Sequence, residues 1–502
     1  MSGYDDAVAV TVIGCDGAAL SAAAQAALDT ATLVIGGARH LNAVALPRDA
    51  RTITLGPLAP AVAALIDHDG PAVVLASGDP GFFGIVRTLS ERGLEPPRLR
   101  VIPATSSIQA AFSRVGLAWD DALVTSMHGT SGGRALRRVA NLCRAFPKVA
   151  LLTGPAKGVR QEDSRQMDSR QADSRQADSQ QGDPLQLDSQ EADSRQLDSR
   201  QAESWHAVSA HQSQPAETTE APALTDEQSV GHGVRELAAE LIRSDIAWPE
   251  PARTLIVAQR LGSADERVER LTLDQAAERS DFAEPNVVIC LAESTAPTAS
   301  SSSWSSPRWL AGWTGPGAGP WARPESAFEH RDGQITKPEV RAQILARLAP
   351  GPGDLIWDVG AGSGSVGIEC ARFGAAVVAV ERDAESCERI SANAVAHGVS
   401  FAVSVACGCA PEVLARLPLP DAVFVGGGGL DVMRAVLPFR PRTVVVALAA
   451  VERVGEVTAL LEADGREVGG VLLQSSRLAA LPGGVHRFAA QNPVFLVWGD
   501  VR

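Results

Sequence analysis

The sequence predicts an α/β protein built as two ligand-binding modules in tandem, and three observations carry that expectation. Short apolar runs rich in Val, Ile and Ala alternate with helical stretches along most of the chain, the pattern of parallel or mixed sheets flanked by helices. Two of these runs end in glycine-bearing turns, Ser77-Gly-Asp-Pro-Gly81 and Asp358-Val-Gly-Ala-Gly-Ser-Gly364, and strand ends are where open α/β sheets bind ligands. A polar repeat interrupts the first of these modules, and a Ser-, Pro- and Gly-rich junction precedes the second. With 502 residues and 45% apolar content, the chain exceeds one ordinary domain and can fill two or three cores.

In the first series, residues 7–14 read as a strand that ends at Gly14-Cys-Asp-Gly17, followed by a helix from Ser21 to Leu28. Further strands are expected at Thr32–Ile35, Ala72–Ala76 and Leu99–Ile102. Pro103-Ala-Thr-Ser-Ser107 closes the last of these and opens a helix over Ile108–Val115, whose first turn Ser106 and Ser107 can cap. Aspartate then recurs at every fifth position from 163 to 198, mostly as Asp-Ser-Arg-Gln-x. A five-residue step places successive repeats on no common face of a helix, and an odd step alternates the sides of a strand. With few apolar residues, 161–232 is expected to be a disordered insertion within a module formed by 1–160 and 233–294. Residues 295–324, rich in Ser, Pro and Gly, read as a linker, yet Trp304, Trp309, Trp313 and Trp321 are costly to leave in water together, and some of them should dock on a domain or a partner subunit.

The second module spans 325–502. A helix is expected over Pro338–Leu348, with proline in its first turn and Thr336 placed to cap it. Strands follow at 355–359, 376–381, 401–405, 421–425 and 443–447, then a helix at 454–464 and a final pair near 468–474 and 493–498. The loop after the first of these strands satisfies two patterns. Gly362-x-Gly364-x-x-Gly367 is a dinucleotide fingerprint, whereas Asp358-x-Gly360-x-Gly362-x-Gly364 is the pattern of S-adenosylmethionine sites. Asp358 favours the latter, because a carboxylate there can face the donor's cationic amino group. The next strand ends in Glu381, spaced to accept hydrogen bonds from ribose hydroxyls; the plainer reading is a tight turn with Glu381 merely solvated. Seven strands ending in a hairpin suit a Rossmann-like S-adenosylmethionine-dependent methyltransferase better than a six-stranded dinucleotide sheet. Phe424-Val-Gly-Gly-Gly-Gly429 ends the fourth strand, on the acceptor side, and its open backbone suits a bulky acceptor better than a flipped base.

Bulk properties exclude several classes. A net charge of −14 argues against a nucleic-acid partner, while a small anionic substrate in a local basic pocket is compatible with it. The seven cysteines contain no C-x-x-C pair, so they are expected to be reduced thiols of a cytoplasmic protein, and Cys407-Gly-Cys409 is too close-set to suggest a metal site. No run of 18 apolar residues occurs, and no basic region precedes the first apolar strand, so neither a membrane span nor a signal peptide is expected.

Several of these motifs carry a resemblance. Val12-Ile-Gly-Cys-Asp-Gly17, Gly78-Asp79-Pro80, Ser106-Ser107, Ser126-Met-His-Gly129, Ala258-Gln-Arg-Leu-Gly262 and Glu284-Pro-Asn-Val-Val288 together resemble the tetrapyrrole methylase family, in particular the cobalamin-pathway enzymes that act at C5 of a precorrin. The resemblance implies a fold of two α/β subdomains with the donor in the cleft between them, touched by Gly78, Asp79, Ser106 and Ser107. Phe328-Glu-His330, Gly333-Gln-Ile-Thr-Lys337, Trp357 to Ser365, Val380-Glu-Arg-Asp383, Ala410-Pro-Glu412 and Gly426 to Gly428 resemble the decarboxylating precorrin methyltransferases that act at C15. By that match, donor contacts fall on Thr336, Gly360, Ala361, Gly362, Ser363, Gly364, Glu381 and Ala410. Cys409 stands where the family has an aspartate for adenine, Arg331 is an insertion, and Ala447-Leu-Ala-Ala-Val-Glu452 departs from the family's more polar segment.

Together the halves imply an enzyme that passes two methyl groups from S-adenosylmethionine to C5 and C15 of a precorrin, with loss of CO2 from the C12 acetate arm. Decarboxylation calls for a proton donor near the ring, for which His330 and Glu452 are candidates; a solvated histidine and a helix-start glutamate are the plainer readings. The resemblance also implies a homo-oligomer. Two other readings are a methyltransferase acting on a different tetrapyrrole or small metabolite, and a degenerate scaffold that binds the donor without turnover.

Overall fold

The computed structural model describes residues 10–56, 58–94, 98–127, 133–153, 233–243, 252–292, 321–331 and 333–501. The expected insertion at 161–232 and most of the linker, with Trp304, Trp309 and Trp313, lie outside them, as do His128 and Gly129.

The first sheet joins β1 (Val10–Cys15), β2 (Leu33–Gly36), β3 (Arg51–Thr54), β4 (Ala72–Ser77) and β5 (Leu99–Ile102) in the order β3-β2-β4-β1-β5. All its pairings are parallel, and β1 and β4 run in register from Val10 opposite Ala72 to Cys15 opposite Ser77. The inner strands β1, β2 and β4 are near-continuous apolar runs because both faces are covered, with Val10, Val12, Leu33, Ile35 and Val74 all buried, whereas the edge strand β3 is largely exposed. Ser21 caps the helix Ala22–Asp29, and Ser106 caps Ser107–Val115 by accepting from the Gln109 N–H at 3.1 Å.

The second sheet joins β6 (Leu123–Ser126), β7 (Lys148–Leu152), β8 (Arg253–Gln259), β9 (Arg267–Thr272) and β10 (Asn286–Ala292) in the order β6-β7-β10-β8-β9, antiparallel except between β6 and β7. The two sheets are the two α/β layers expected of a tetrapyrrole methylase.

The third sheet is built from β11 (Leu355–Val359), β12 (Ala376–Glu381), β13 (Val403–Cys407), β14 (Ala422–Val425), β15 (Thr443–Leu448) and β16 (Glu467–Leu473), then a separate hairpin of β17 (Ser476–Ala480) and β18 (His486–Ala490), and lastly β19 (Val494–Asp500). Its order is β13-β12-β11-β14-β15-β19-β16, with β19 antiparallel to both neighbours. This is the seven-stranded Rossmann-like sheet that the strand count predicts. Leu355, Ile356, Trp357 and Val359 lie at its centre, and Trp357 satisfies its indole N–H on the Pro418 carbonyl at 3.1 Å.

Three expectations need correction. Thr336 does not cap the helix Pro338–Leu348; Lys337 holds the cap position, without a side-chain bond. The third strand of this module begins at Val403 rather than 401, because Phe401 and Ala402 form the turn that brings the chain back into the sheet. Cys387 and Cys407 are not free thiols but form a disulfide. They stand 20 residues apart, on the helix Ala384–Ala396 and at the end of β13, which parallel pairing places opposite Glu381.

The helix Gly133–Ala145 ties the second sheet to the third. Asn141 donates its side-chain N–H to the Gly353 carbonyl at 3.2 Å, and Arg253 donates to the Phe401 carbonyl at 3.1 Å. Phe146, Leu237 and Leu255 belong to the same buried cluster as Leu355 and Ile356. Among the described residues no helix is long and apolar enough to cross a membrane.

Candidate functional site

The loop after β4 packs backbone on backbone. A Cβ on Gly14 would lie 2.0 Å from the Gly78 carbonyl oxygen and 2.5 Å from the Ala104 nitrogen, so only glycine permits that approach. Gly78 adopts φ +57°, donates to the Cys15 carbonyl at 2.8 Å, and abuts Ser106 and Ser107. Asp79 turns on its own loop, accepting from the Gly81 N–H at 2.9 Å. The structure therefore gathers Gly78, Ser106 and Ser107, with Asp79 next in the chain, at the carboxyl edge of the first sheet. Beside them is a cleft of about 440 Å³ lined by Gly14, Asp16, Ser21, Ile102, Thr105 and Gln109. Asp16 was not singled out by its sequence position. Partial burial opposes its charge, but the N–H groups of Ala18 and Thr105, at 3.1 and 3.2 Å, hold its carboxyl below the usual range.

In the second module the loop after β11 is pinned from several sides. The Gly360 and Ala361 N–H groups donate to the Val380 carbonyl at 2.9 and 3.2 Å, and Gly362 N–H donates to Glu381 at 2.9 Å. The other Glu381 oxygen accepts from Arg382 and Asp383 N–H. Gly360 adopts φ +74°, and a Cβ there would lie 2.9 Å from the Gly427 nitrogen, so this loop and the glycine loop after β14 touch. Ser363 is buried, and its carbonyl accepts from Asn393 at 2.9 Å.

Asp358 lies beneath the loop rather than open to it, 1% exposed. One oxygen accepts from Gly367 N–H at 2.7 Å, while Oδ1 is buried without a protein partner. Burial, with a smaller push from Glu381, raises its carboxyl to about 7.

Asn393 also clamps the Glu329 backbone, accepting its N–H at 2.8 Å and donating to its carbonyl at 2.9 Å. One side chain therefore joins the glycine loop to the segment that carries His330. His330 holds Nδ1 3.0 Å from the Phe328 carbonyl, an acceptor, so Nδ1 carries the proton and Nε2 is left for other partners. Glu452 is exposed in the first turn of the helix Glu452–Ala463, the plainer of its two readings, but its neighbour Arg453 lies close to the glycine loop, where a Cβ on Gly429 would meet its Nη1 at 3.5 Å. Thr336 enters through its carbonyl, which accepts from Arg341 at 2.7 Å, and Ala410 opens the helix Ala410–Leu414 behind an exposed, uncapped Cys409.

Residues 326–499 match the family described as Precorrin methyltransferase domain, and residues 12–177 the family described as Tetrapyrrole (Corrin/Porphyrin) Methylases. A precorrin-6Y C(5,15)-methyltransferase [decarboxylating] of Sinorhizobium sp is 33% identical over 437 residues, 85% of this chain and 81% of that protein. The chain belongs to the precorrin-6Y C5,15-methyltransferase (decarboxylating) family. Relatives named for one methylation each match one half of the chain. A probable cobalt-precorrin-6B C(15)-methyltransferase (decarboxylating) of Pyrobaculum calidifontis is 38% identical over 167 residues, 29% of this chain and 86% of its own. A cobalt-precorrin-7 C(5)-methyltransferase of Salmonella typhimurium is 34% identical over 159 residues, 30% of this chain and 74% of its own.

The most buried charge pair near the second loop had no signal in the sequence. Arg341 and Glu369, 0% and 1% exposed at the side chain, meet at 2.9 Å. Glu369 also accepts from Ala322 and Arg323 N–H at 2.6 and 2.8 Å, and Arg341 donates to the Arg323 carbonyl. This buried pair fastens the segment that enters the module to the helix that follows the glycine loop. Both residues lie within helices, where a charged residue ordinarily reads as solvent-facing, but Ser365–Ala371 is buried on every side.

Proposed function

We propose that the chain methylates a precorrin at C5 and C15 and removes CO2 from its C12 acetate arm, with S-adenosylmethionine as donor in each half. The observation that carries this reading is that the Sinorhizobium relative runs through both modules, over 85% of the chain. The chain divides into 1–160 with 233–294 for the C5 step and 325–502 for the C15 step, joined through 295–324.

The groups present fit the donor. Gly362 and Gly427 face open space, where a Cβ would meet nothing within 4 Å, and Glu381 stands at the end of β12 beside that opening. The orphaned Asp358 Oδ1 is a buried acceptor that suits a nearby cation. Gly360, Ala361, Gly362, Ser363 and Gly364 form the cradle, Glu381 takes the ribose, and Thr336 and Ala410 flank it. In the first module Gly78, Asp79, Ser106 and Ser107 have the same task, on the edge that carries the cleft. When bound, S-adenosylmethionine supplies a methyl group already activated by its sulfonium charge, so the protein has chiefly to align reactants and exclude water. The bare backbone of Gly426–Gly429 leaves room for a macrocycle over the loop. His330 Nε2 is the proton-handling group, because Asn393 keeps its segment beside the loop, whereas Glu452 stands in solvent.

An acidic chain does not suit a phosphate-backbone partner. Leu478 and Phe488, 62% and 73% exposed on the β17–β18 hairpin, support a homo-oligomer. The cytoplasm is the natural setting for a chain that uses this donor. Mass analysis after incubating the full chain with S-adenosylmethionine and the precorrin tests the reading. Two methyl groups gained and one CO2 lost are expected; a product with neither change would overturn it.

A further inference from the structure

The peripheral carboxylates of a tetrapyrrole need cationic partners, and one arginine in the first module is prepared for such a task. Arg39 lies on the short turn Ala38–Leu41 after β2, and Ser77 is the last residue of β4, next to Gly78. Arg39 Nη2 donates to Ser77 Oγ at 2.5 Å, and its Nε donates to His40 Nε2 at 3.2 Å. Ser77 Oγ also lies 3.2 Å from His40 Nε2. Because Nε2 accepts, the His40 proton sits on Nδ1, and burial with the neighbouring Arg39 charge keeps the ring neutral, its pKa pushed down to about 4.

The guanidinium is therefore oriented by two neutral side chains and, among the described residues, pairs with no carboxylate. Arg114, Arg279, Arg341, Arg442 and Arg477 each pair with at least one Asp or Glu. In a chain of net charge −14, an exposed yet oriented arginine with no counter-charge is an open half of a pair. Its position suits a ligand of the proposed C5 site. Ser77 stands opposite Cys15, whose thiol feels the Arg39 charge, and Gly78 follows directly. The carboxylates on this edge, Asp16 and Asp79, are each held by N–H groups of nearby loops rather than by Arg39.

We propose that Arg39, aimed by Ser77 and His40, is a carboxylate-binding site of the first module, and that it takes an acetate or propionate arm of the macrocycle. This rests on the C5-methyltransferase reading above. A second source of the same chemistry is the carboxylate of the donor's methionine part, and the two are separable.

In the full-length chain, Arg39→Ala should raise the KM for the tetrapyrrole in C5 methylation by roughly 10- to 100-fold, the worth of one charge-assisted contact. C15 methylation and decarboxylation should stay unchanged and serve as an internal control. Arg39→Lys should recover part of the loss, since it keeps the charge but not the planar fork. Ser77→Ala should cost a few-fold through loss of orientation. Calorimetry should find donor affinity unchanged in Arg39→Ala. A drop in donor affinity with tetrapyrrole KM unaltered would overturn the assignment in favour of the donor's carboxylate, and no change in either would overturn it outright. Failure of the wild-type chain at both methylations would instead count against the enzymatic reading itself.

Discussion

The loops after β4 and β11 both end a central strand, yet different forces hold them in shape. The first depends on close backbone approach, Gly14 against Gly78 and Ala104, and the carboxylates beside it, Asp16 and Asp79, are held by neighbouring loop residues rather than by a counter-charge. The second rests on buried polar and charged groups. Asp358 lies beneath it, Glu381 gathers three N–H groups at its rim, and the Arg341–Glu369 pair braces the helix that follows. A pocket braced by sterics should fail when volume is added, and one braced by buried ions should fail when charge or pH changes.

The largest expected effect follows from removing half of the buried pair. Glu369→Ala leaves the Arg341 guanidinium without its counter-charge and frees the N–H groups of Ala322 and Arg323, at a cost of about 3–5 kcal/mol. Thermal unfolding of the second module should shift down and the C15 step should be lost, while C5 methylation persists. If both steps fell together, the brace would serve the whole chain.

Asp358 gives the next effect, through pH. Its folded-state pKa of about 7 lies above the ordinary carboxylate range, so between about pH 4 and about pH 7 the folded protein binds more protons than the unfolded chain. Stability therefore falls as pH rises through that window and levels off above it, by up to about 4 kcal/mol at ~1.4 kcal/mol per pH unit. Asp358→Asn should flatten the curve in denaturant titrations at pH 5, 6, 7 and 8 (about one unit apart). A wild-type curve that rises with pH across this range would mean the carboxylate is charged in the folded state.

Gly14→Ala applies the opposite stress. Its Cβ falls on backbone atoms that cannot swing aside, so a loss of about 1–3 kcal/mol is expected, with C5 methylation abolished and C15 chemistry intact. Gly362→Ala is the control in the other loop. A Cβ there meets nothing, and only the positive φ opposes it, at about 1–2 kcal/mol.

Elements buried on both faces were legible in the sequence. Leu355–Val359 and Ala376–Glu381 keep the bounds that their apolar runs suggest, because tertiary contacts add nothing the composition does not already favour. Edge elements were not. Arg51–Thr54 is largely exposed and gets its strand character only from pairing with β2, and the β17–β18 hairpin is mostly solvent-facing. Both glycine loops could be read because their chemistry is local, whereas what supports them could not. Arg39 meets Ser77 from 38 positions away and Arg341 meets Glu369 from 28, distances that only the strand order closes. The Cys387–Cys407 disulfide was hidden for the same reason: its partners become neighbours only once β13 lies beside β12.

Ser106 carries the smallest effect and the sharpest choice. Its hydroxyl accepts from Gln109 N–H at 3.1 Å and so already has a structural task, worth about 1 kcal/mol by the usual cost of losing a helix cap. Its backbone also adjoins Gly78, on the edge where the donor is proposed to bind. Ser106→Ala tests the cap and the contact together, and Ser106→Asp separates them, since aspartate caps as well as serine but brings a charge to the edge that holds Asp16 and Asp79. If Ser106 only caps, the alanine variant should lose about 1 kcal/mol with donor KM unchanged, and the aspartate variant should match the wild type in both. If the hydroxyl also meets the donor, both variants should raise donor KM in the C5 step while the aspartate variant keeps its stability. That outcome would show the first loop recognising its ligand through a group that also holds its own helix in place, whereas in the second loop Asp358 and Glu369 do the bracing from beneath.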